Sequence, residues 1–181
     1  MKLMIASDIH GSAKYCRAMA MRFAQEKADR LLLLGDLLYH GPRNDLPEEY
    51  APKEVIKVLC SLKEKIFCVR GNCDAEVDQM VLPFPILAEY AVFAAGGHLL
   101  YAVHGQHLPK ETPPLCPGDV LLYGHTHVPD CTEKNGILWL NPGSVSLPKE
   151  DSPRSYMTLQ NGVFQWKELL SSRVYCTQHL S

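Results

Sequence analysis

Short apolar runs alternate with amphipathic helical stretches over the first third of the chain. Residues 3–6, 31–34 and 66–69 are apolar runs of strand length, each followed by polar or glycine residues. Between them, Ser12 is placed to cap one helix and Pro52 to open another. Because strands that alternate with helices usually pair in parallel, the pattern predicts a strand–helix–strand–helix–strand unit with both sheet faces covered.

The second half of the chain is predicted to be largely β. Gly96-Gly97, Asn135-Gly136 and Asn161-Gly162 are typical of hairpin turns, and no helix of comparable quality follows residue 82. We therefore expect two sheets packed face to face with helices outside, in a single domain over residues 1–181. The predicted strands of this half are residues 90–94, 98–103, 120–123, 137–140, 156–159 and 163–169.

Polar side chains that can bind a metal follow most of the predicted strands at the point where each strand ends. In a parallel α/β sheet these ends lie along one edge, where ligands bind, so residues about 120 positions apart can meet in one site. The seven side chains are Asp8, His10, Asp36, Asn72, His104, His125 and His127.

This mixed nitrogen and oxygen set, without a thiolate, suits divalent ions such as Mn²⁺, Fe²⁺, Co²⁺, Ni²⁺ or Zn²⁺. Seven ligands are too many for one transition ion and about right for two if a carboxylate bridges them. Asp36 is central in strand order and is our choice for the bridge. Two such ions outweigh the two carboxylates, so the site would attract an anionic phosphoester.

The composition mainly argues against certain classes of partner, structural motif and location. The 181 residues carry 18 Lys and Arg against 20 Asp and Glu, a net charge of -2, which argues against long nucleic acids and anionic membranes as partners. The 7 Cys include no C-x-x-C pair, so we expect no disulfide framework or zinc motif and a reducing, cytoplasmic location. No apolar run is long enough to cross a bilayer, and the N-terminal run is too short for a signal peptide.

Each motif alone has an ordinary alternative. A single Gly-Asp or Gly-Asn pair usually marks a turn, and a lone histidine at a strand end is more often structural. His125 and His127 are more specific, because residues two apart point the same way in an extended chain. The ordered set is far more specific than any member: Asp8-Ile9-His10, Gly35-Asp36, Gly71-Asn72-Cys73-Asp74, His104-Gly105 and Gly124-His125-Thr126-His127.

This set resembles the calcineurin-like metallophosphoesterase superfamily in order and spacing, over residues 2–160. Residues 41–44, 71–80 and 141–146 resemble its small single-domain bacterial phosphodiesterases in particular. The resemblance implies an α/β fold, a four-layer α-β-β-α sandwich of two mixed sheets. It also implies one ion on Asp8, His10 and His127, a second on Asn72, His104 and His125, and Asp36 as the bridge.

The expected activity is that of a hydrolase, a metal-dependent phosphodiesterase that cleaves small phosphodiesters with a hydroxide shared between two ions. Such ions also hold phosphate oxygens and neutralise transition-state charge, so no protein nucleophile is needed. Asp36, Asn72 and His104 would act in catalysis through the ions, and Mn²⁺ is the metal that the resemblance favours. The physiological substrate, the native metal and the formation of a homo-oligomer stay open.

Cys73 stands where many superfamily members have a histidine that helps to protonate the leaving oxygen. A thiol with an ordinary pKa of about 8.5 is an uncertain acid at neutral pH. We therefore predict a preference for diesters with good leaving groups. The alternative is that Cys73 is a small neutral filler beside Asn72.

Other residues near these motifs have less specific roles. His40 and Arg43 are candidates for contact with a substrate phosphate, although a solvated loop explains them about as well. Asp74 either orients a histidine ligand or caps the short helix that follows it, and we favour the cap. The turn at residues 141–144 is expected to shape the rim of the site.

Two other functions are alternatives to a phosphodiesterase. One is a non-catalytic metal-binding or interaction scaffold, because the same fold occurs in a protein-sorting subunit of the retromer type that has lost parts of the histidine set. All seven positions carry competent ligands in this chain, which favours catalysis. The other is a phosphomonoesterase, since pocket shape decides between the two ester classes. The chain lacks a basic, aromatic-lined stretch, which argues against a nuclease for long polymers.

Overall fold

Two mixed β-sheets with few helices make up the computed structural model, which describes residues 1–108, 110 and 112–180. The helices are α1 (Ala13–Gln25), α2 (Pro52–Ser61) and α3 (Glu76–Gln79), with a 3-10 turn at Lys63–Lys65. The strands are β1 (Leu3–Ala6), β2 (Arg30–Leu33), β3 (Ile66–Cys68), β4 (Ala91–Ala95), β5 (His98–Ala102), β6 (Val120–Leu122), β7 (Asp130–Lys134), β8 (Ile137–Asn141), β9 (Ser155–Gln160), β10 (Val163–Glu168) and β11 (Val174–His179).

Parallel pairing within each sheet brings several strand ends to one edge. The six-stranded sheet has the order β11-β10-β9-β1-β2-β3, and its strands β1, β2 and β3 are parallel, as the alternating pattern predicted. The five-stranded sheet has the order β4-β5-β6-β8-β7, with β5, β6 and β8 parallel. The remaining pairs are antiparallel, and three of them are the hairpins predicted at residues 96–97, 135–136 and 161–162.

Alternate residues of β1 belong to two different apolar cores. Met4 and Ala6 pack with residues of α1 and α2, whereas Leu3 and Ile5 pack with residues of the five-stranded sheet. Successive side chains of a strand point to opposite faces, so a strand between two cores must be apolar at every position. This explains the continuous apolar run from which the strand was predicted.

The helix starts also follow the sequence signals. The Ser12 side chain accepts a hydrogen bond from the backbone N–H of Tyr15, and Pro52 is the first residue of α2. The described residues place no helix in the connection of residues 103–119 between β5 and β6, and none after α3. Among them, no helix combines the length and the apolar character that a membrane span requires.

The two strands that the pattern did not predict, β7 and β11, are edge strands. Residues 130–134 are half-buried or exposed, and so are residues 174–179. Because one face of such a strand is solvated and only one neighbour pairs with it, no apolar run is required. Strand pairing and not local hydrophobicity defines these two strands.

A buried charge network joins the end of α1 to the six-stranded sheet. The Glu26 carboxylate accepts hydrogen bonds from the Lys167 ammonium at 2.8 and 2.9 Å and from the Tyr156 hydroxyl at 2.8 Å, and it pairs with Lys2. The Glu26 side chain is only 11% exposed. Burial opposes its ionised form, but these donors outweigh burial and lower the pKa of Glu26 to about 2.

We expect Glu26→Gln to lower the free energy of unfolding at pH 7 by about 1–3 kcal/mol, because two ammonium groups lose their buried partner. A carboxyl with a lowered folded-state pKa contributes its stability above its unfolded pKa and loses it as the pH falls towards 2. The difference between the wild type and the variant should therefore shrink between about pH 5 and pH 2. Urea unfolding at several pH values measures it.

Glu54→Gln is the matched control, since Glu54 pairs with Lys57 on the surface of α2 and both side chains are well exposed. Its effect should stay within about 0.5 kcal/mol at every pH. A Glu26→Gln effect that is equally small, or that does not change with pH, would contradict the structural role given to this network.

Candidate metal centre

The seven predicted metal-binding side chains follow five parallel strands of the two sheets. They extend from the carboxyl ends of these strands, which meet at one edge of the sandwich. Asp8 and His10 follow β1, Asp36 follows β2, Asn72 follows β3, His104 follows β5, and His125 and His127 follow β6.

Five of these seven residues have a left-handed backbone conformation. The φ angles are 59° at Asp8, 48° at His10, 57° at Asp36, 65° at His125 and 63° at His127. For a residue other than glycine this conformation costs about 1 kcal/mol or more, and it persists only where surrounding contacts impose it. The chain turns sharply after each strand and thereby directs these side chains into a common space.

His10 and His127 face each other beside the carboxylate of Asp8. Their Nε2 atoms lie 3.1 Å apart, and the Nε2 of His127 lies 3.3 Å from Asp8 Oδ1. All three side chains are almost fully buried, and within the described part of the chain Asp8 Oδ1 has no hydrogen-bond partner. These three residues are therefore close enough to bind one common ion.

His104 lies at the centre of a second group. Its Nε2 atom is 3.1 Å from Asn72 Oδ1 and 3.3 Å from the Nδ1 of His125. His104 is buried, whereas Asn72 is exposed and His125 is half-buried. This group therefore opens to solvent on the side of Asn72.

Asp36 lies between the two groups. Its Oδ2 atom is 3.6 Å from the Nε2 of His10 and 3.4 Å from the Nε2 of His104, while its Oδ1 accepts a hydrogen bond from the backbone N–H of Cys73 at 2.8 Å. One oxygen of Asp36 is thus shared between both groups, and the other holds the carboxylate in place.

The positions of the imidazole protons show that the two groups need cations. The Nδ1 atoms of His10, His104 and His127 lie 2.6–2.8 Å from the backbone carbonyls of Tyr39, Leu34 and Leu147. A carbonyl oxygen only accepts, so each Nδ1 carries a proton, and a ring with no second proton turns an Nε2 lone pair inward. Lone pairs that face lone pairs and carboxylates at 3.1–3.6 Å repel one another unless a cation or an additional proton lies between them. The donor set therefore fits divalent metal ions.

The same neighbours shift the pKa values of these groups. Burial opposes the ionised form of Asp8, but the neighbouring imidazoles of His10 and His127 outweigh it and hold the pKa of Asp8 well below its usual value. Burial likewise opposes the charged form of His104, but the carboxylates of Asp36 and Asp8 outweigh burial and raise the pKa of His104 to about 9. Protons and metal ions therefore compete for the same nitrogen atoms.

Asp74 ties the loop after β2 to the loop after β3. Its buried carboxylate accepts hydrogen bonds from the backbone N–H groups of Asp36, Leu37 and Gly71 at 2.8–2.9 Å. The prediction that Asp74 caps the short helix is wrong, because the residue that caps α3 is Ala75, whose N–H donates to Asp78. Asp74 instead fixes the backbone from which the shared carboxylate of Asp36 extends.

The segment of residues 141–146 supports the site from the other side. The hydroxyls of Ser144 and Ser146 both donate to the backbone carbonyl of Asp8, at 2.8 and 3.0 Å. The Asn141 amide donates to the carbonyl of Gly124, next to His125. The sequence predicts that this turn lies at the rim of the site. It does not predict the serine contacts, because nothing in a loop sequence indicates which distant backbone group a serine hydroxyl will contact.

A small cavity of about 40 Å³ opens above the two groups. Cys73 and Arg43 line it, as does Lys149, which sequence analysis missed. His40 does not line it, because its ring packs between Tyr39 and Tyr50 with centroid distances of 4.8 and 5.2 Å.

Burial and the carboxylates of Asp36, Asp74 and Asp8 raise the pKa of Cys73 to about 12, so its sulfur remains a neutral thiol at pH 7.

Comparison with known proteins adds an independent line of support. The family model of the calcineurin-like phosphoesterase superfamily domain matches residues 1–161. The curated protein phosphodiesterase YfcE of Escherichia coli (strain K12) is 50% identical over 165 residues, which is 90% of this chain and 89% of that protein. The probable metallophosphoesterase YsnB of Bacillus subtilis (strain 168) is 27% identical over 171 residues, covering 89% of this chain and 86% of that protein.

Solved structures show the same fold. The structure of YfcE, described as a phosphoesterase from E. coli, has a TM-score of 0.96 and 44% identity, and all of both chains is covered. Vps29 of Entamoeba histolytica, solved with zinc, has a TM-score of 0.67 at 21% identity, again with both chains fully covered. At that identity the likeness to Vps29 shows the fold alone.

We expect Gly71→Ala to disturb the metal centre through Asp36. A Cβ atom at Gly71 would lie 2.1 Å from Asp36 Oδ1 and 2.3 Å from the Asp36 backbone nitrogen, so backbone must move. The expected result is a loss of about 1–3 kcal/mol in the free energy of unfolding and a fall of about tenfold or more in Mn²⁺ affinity. Denaturant unfolding and calorimetric titration measure the two effects.

Gly97→Asn is the control, because nothing lies within 4 Å of a Cβ at Gly97 and asparagine tolerates its left-handed φ of 88°. It should leave Mn²⁺ affinity unchanged. If Gly71→Ala binds Mn²⁺ as tightly as the wild type, the placement of Asp36 does not determine metal binding.

Proposed function

The chain belongs to the calcineurin-like phosphoesterase superfamily, and from this premise we propose that it is a metal-dependent phosphodiesterase that hydrolyses small phosphodiesters at the centre described above. The observation that carries the proposal is the inward-facing set of imidazole Nε2 and carboxylate oxygen atoms around Asp36. The name of the relative that is 50% identical, a phosphodiesterase, supports the choice of ester class.

The proposed metal content is two divalent ions, with Mn²⁺ the first choice and Ni²⁺, Co²⁺, Fe²⁺ or Zn²⁺ compatible with the same donors. The shared Oδ2 of Asp36, within 3.6 Å of a nitrogen in each group, supports its role as the bridge. Asp8, His10 and His127 would hold one ion, and Asn72, His104 and His125 the other.

Divalent ions at these residues would supply Lewis acidity, which polarises phosphoryl oxygens and makes a nucleophile from water near neutral pH. The protein holds the donors in position before substrate arrives: backbone carbonyls orient His10, His104 and His127, and Asp74 fixes the Asp36 loop. Burial of Asp8 and His10 excludes bulk water from the inner side. The exposed side of Asn72 and the half-buried His125 leave the other side open to a phosphate group.

Cys73 is the residue that limits the choice of leaving group. Its thiol lines the cavity, and in the metal-free protein burial and the nearby carboxylates raise its pKa to about 12, which makes it a weak acid. Cations bound at Asp8 and Asp36 would oppose the carboxylates, but burial, the largest cause, would remain. A weak acid protonates a departing alkoxide slowly, and general-acid assistance is typically worth about 10²–10⁴ in rate. We infer that diesters with good leaving groups are hydrolysed well and alkyl esters poorly.

A scaffold without turnover is the main alternative, because Vps29 shares the fold at a TM-score of 0.67. The complete donor set of this chain supports catalysis over a scaffold. A phosphomonoesterase is the second alternative, since nothing in the donor set itself distinguishes monoesters from diesters.

We also propose a cytoplasmic location and a small-molecule substrate. All seven cysteines are free thiols, which supports a reducing compartment. The net charge of -2 offers no general attraction for a long nucleic acid.

We expect metal-stripped protein to lack phosphodiesterase activity and to regain it when a divalent ion is added, most strongly with Mn²⁺. A panel of Mn²⁺, Ni²⁺, Co²⁺, Zn²⁺ and Mg²⁺, assayed with bis(p-nitrophenyl) phosphate and p-nitrophenyl phosphate, also decides between diester and monoester. Asp36→Asn and His104→Ala should lower kcat/KM by at least about 10². Metal binding by calorimetry without hydrolysis of either ester would favour the scaffold.

We expect Cys73→His to accelerate diesters with poor leaving groups selectively. An imidazole at this position would be a stronger acid than the thiol, because its ordinary pKa of about 6.5 lies close to neutral pH. The predicted gain in kcat/KM for an alkyl leaving group is about 10² or more, with little change for p-nitrophenol. Cys73→Asn is the matched control, since its amide cannot supply a proton. Equal effects on good and poor leaving groups would refute this role.

A further inference from the structure

Two cationic side chains stand on opposite loops at the mouth of the metal-centre cavity. Arg43 lies in the loop that follows Asp36, and Lys149 lies in the loop that precedes β9. Both line the cavity of about 40 Å³ together with His125 and Asn72. Among residues 1–108, 110 and 112–180, neither cation forms an ion pair with a carboxylate.

The position of Lys149 is imposed by a strained turn. Its backbone N–H donates to the carbonyl of His127 at 3.3 Å, and its carbonyl accepts from the Ser152 hydroxyl at 2.6 Å. The two residues between them, Glu150 and Asp151, both have left-handed φ angles, of 54° and 55°. Two consecutive non-glycine residues in this region are costly, and they persist only where surrounding contacts impose them.

Arg43 is held less tightly than Lys149, but it also lines the cavity of the metal centre. The Asn44 amide donates to the carbonyl of His40 at 2.8 Å and so closes the loop that carries Arg43. Arg43 and His125 line the same cavity, so the guanidinium can act on a ligand bound beside His125.

These two cations exceed what a simple phosphodiester requires. With two divalent ions bound, the carboxylates of Asp8 and Asp36 leave roughly two positive charges, which a diester monoanion and a hydroxide-like nucleophile neutralise. Arg43 and Lys149 then add about two more positive charges at the mouth of the cavity, and no carboxylate of the described residues forms an ion pair with either of them. A terminal phosphate group carries about 1.5 to 2 negative charges at pH 7 and matches this remainder.

We propose that Arg43 and Lys149 bind a second phosphate group of the substrate, so that the preferred substrates are phosphodiesters whose retained alcohol carries a terminal phosphate. This inference rests on the proposed function and specifies its substrate class. Arg43 supplies a planar donor fork and Lys149 a compact point charge, both of which phosphate oxygens accept.

The test compares two diesters with the same leaving group, ethyl p-nitrophenyl phosphate and 2-phosphoethyl p-nitrophenyl phosphate, on the Mn²⁺-loaded protein. The wild type should show a KM about tenfold lower for the phosphorylated arm. Lys149→Gln and Arg43→Gln should each reduce this preference about fivefold. Lys149→Arg should restore it, which separates a charge effect from damage to the turn. Lys63→Gln, on the 3-10 turn remote from the cavity, is the control and should alter neither KM.

Calorimetric titration of the two products, ethyl phosphate and ethylene glycol bisphosphate, gives a second readout that needs no turnover. Tighter binding of the bisphosphate by the wild type, lost in Lys149→Gln, supports the inference even if neither diester is hydrolysed, in which case the proposed function alone fails. Equal binding of both products, or variants that weaken both ligands equally, overturns the inference while hydrolysis of the ethyl diester leaves the proposed function intact.

Discussion

A surplus of hydrogen-bond acceptors over protons is the constraint on which the site and its surroundings depend. The Nδ1–H groups of His10, His104 and His127 donate hydrogen bonds to backbone carbonyls. The Nε2 lone pairs of these rings therefore face one another and the carboxylates of Asp8 and Asp36. Without a cation this arrangement is repulsive, and with one it becomes a binding site. The affinity for divalent ions therefore comes from an unfavourable contact that the rest of the fold must maintain.

The fold maintains it by attaching the turns to one another as well as to the sheets. Five of the seven residues predicted to bind metal have left-handed φ angles, each of which costs about 1 kcal/mol or more. Asp74 joins the loops after β2 and β3 through three backbone N–H groups, and Ser144 and Ser146 hold the carbonyl of Asp8. These buried hydrogen bonds offset strain that local sequence alone would relax, and the two apolar cores supply the remaining stability.

The parts that could be predicted from the sequence are those with a local signal. Runs such as 3–6 and 31–34 are apolar because both strand faces are buried, and the residues after them gather because parallel strands end at one edge. The edge strands β7 and β11 have no such signal, since one face is solvated. The roles of Asp74 and Lys149 were also out of reach, because each depends on which distant backbone group lies opposite in the folded chain.

The negative field that makes the metal centre also determines the chemistry of the residue beside it. Burial, with the carboxylates of Asp36, Asp74 and Asp8, raises the pKa of Cys73 in the metal-free protein, so its proton is harder to donate. An imidazole, whose ordinary pKa is about 6.5, would be a usable acid at this position, whereas the buried thiol is a weak one. Without a good general acid, the rate enhancement of the site would come from its metal ions. The leaving group would then depart without help from a protein proton donor, so its own stability as an anion would determine how easily it leaves. Selectivity would then depend on the groups that line the cavity, which include the cations at its mouth, Arg43 and Lys149.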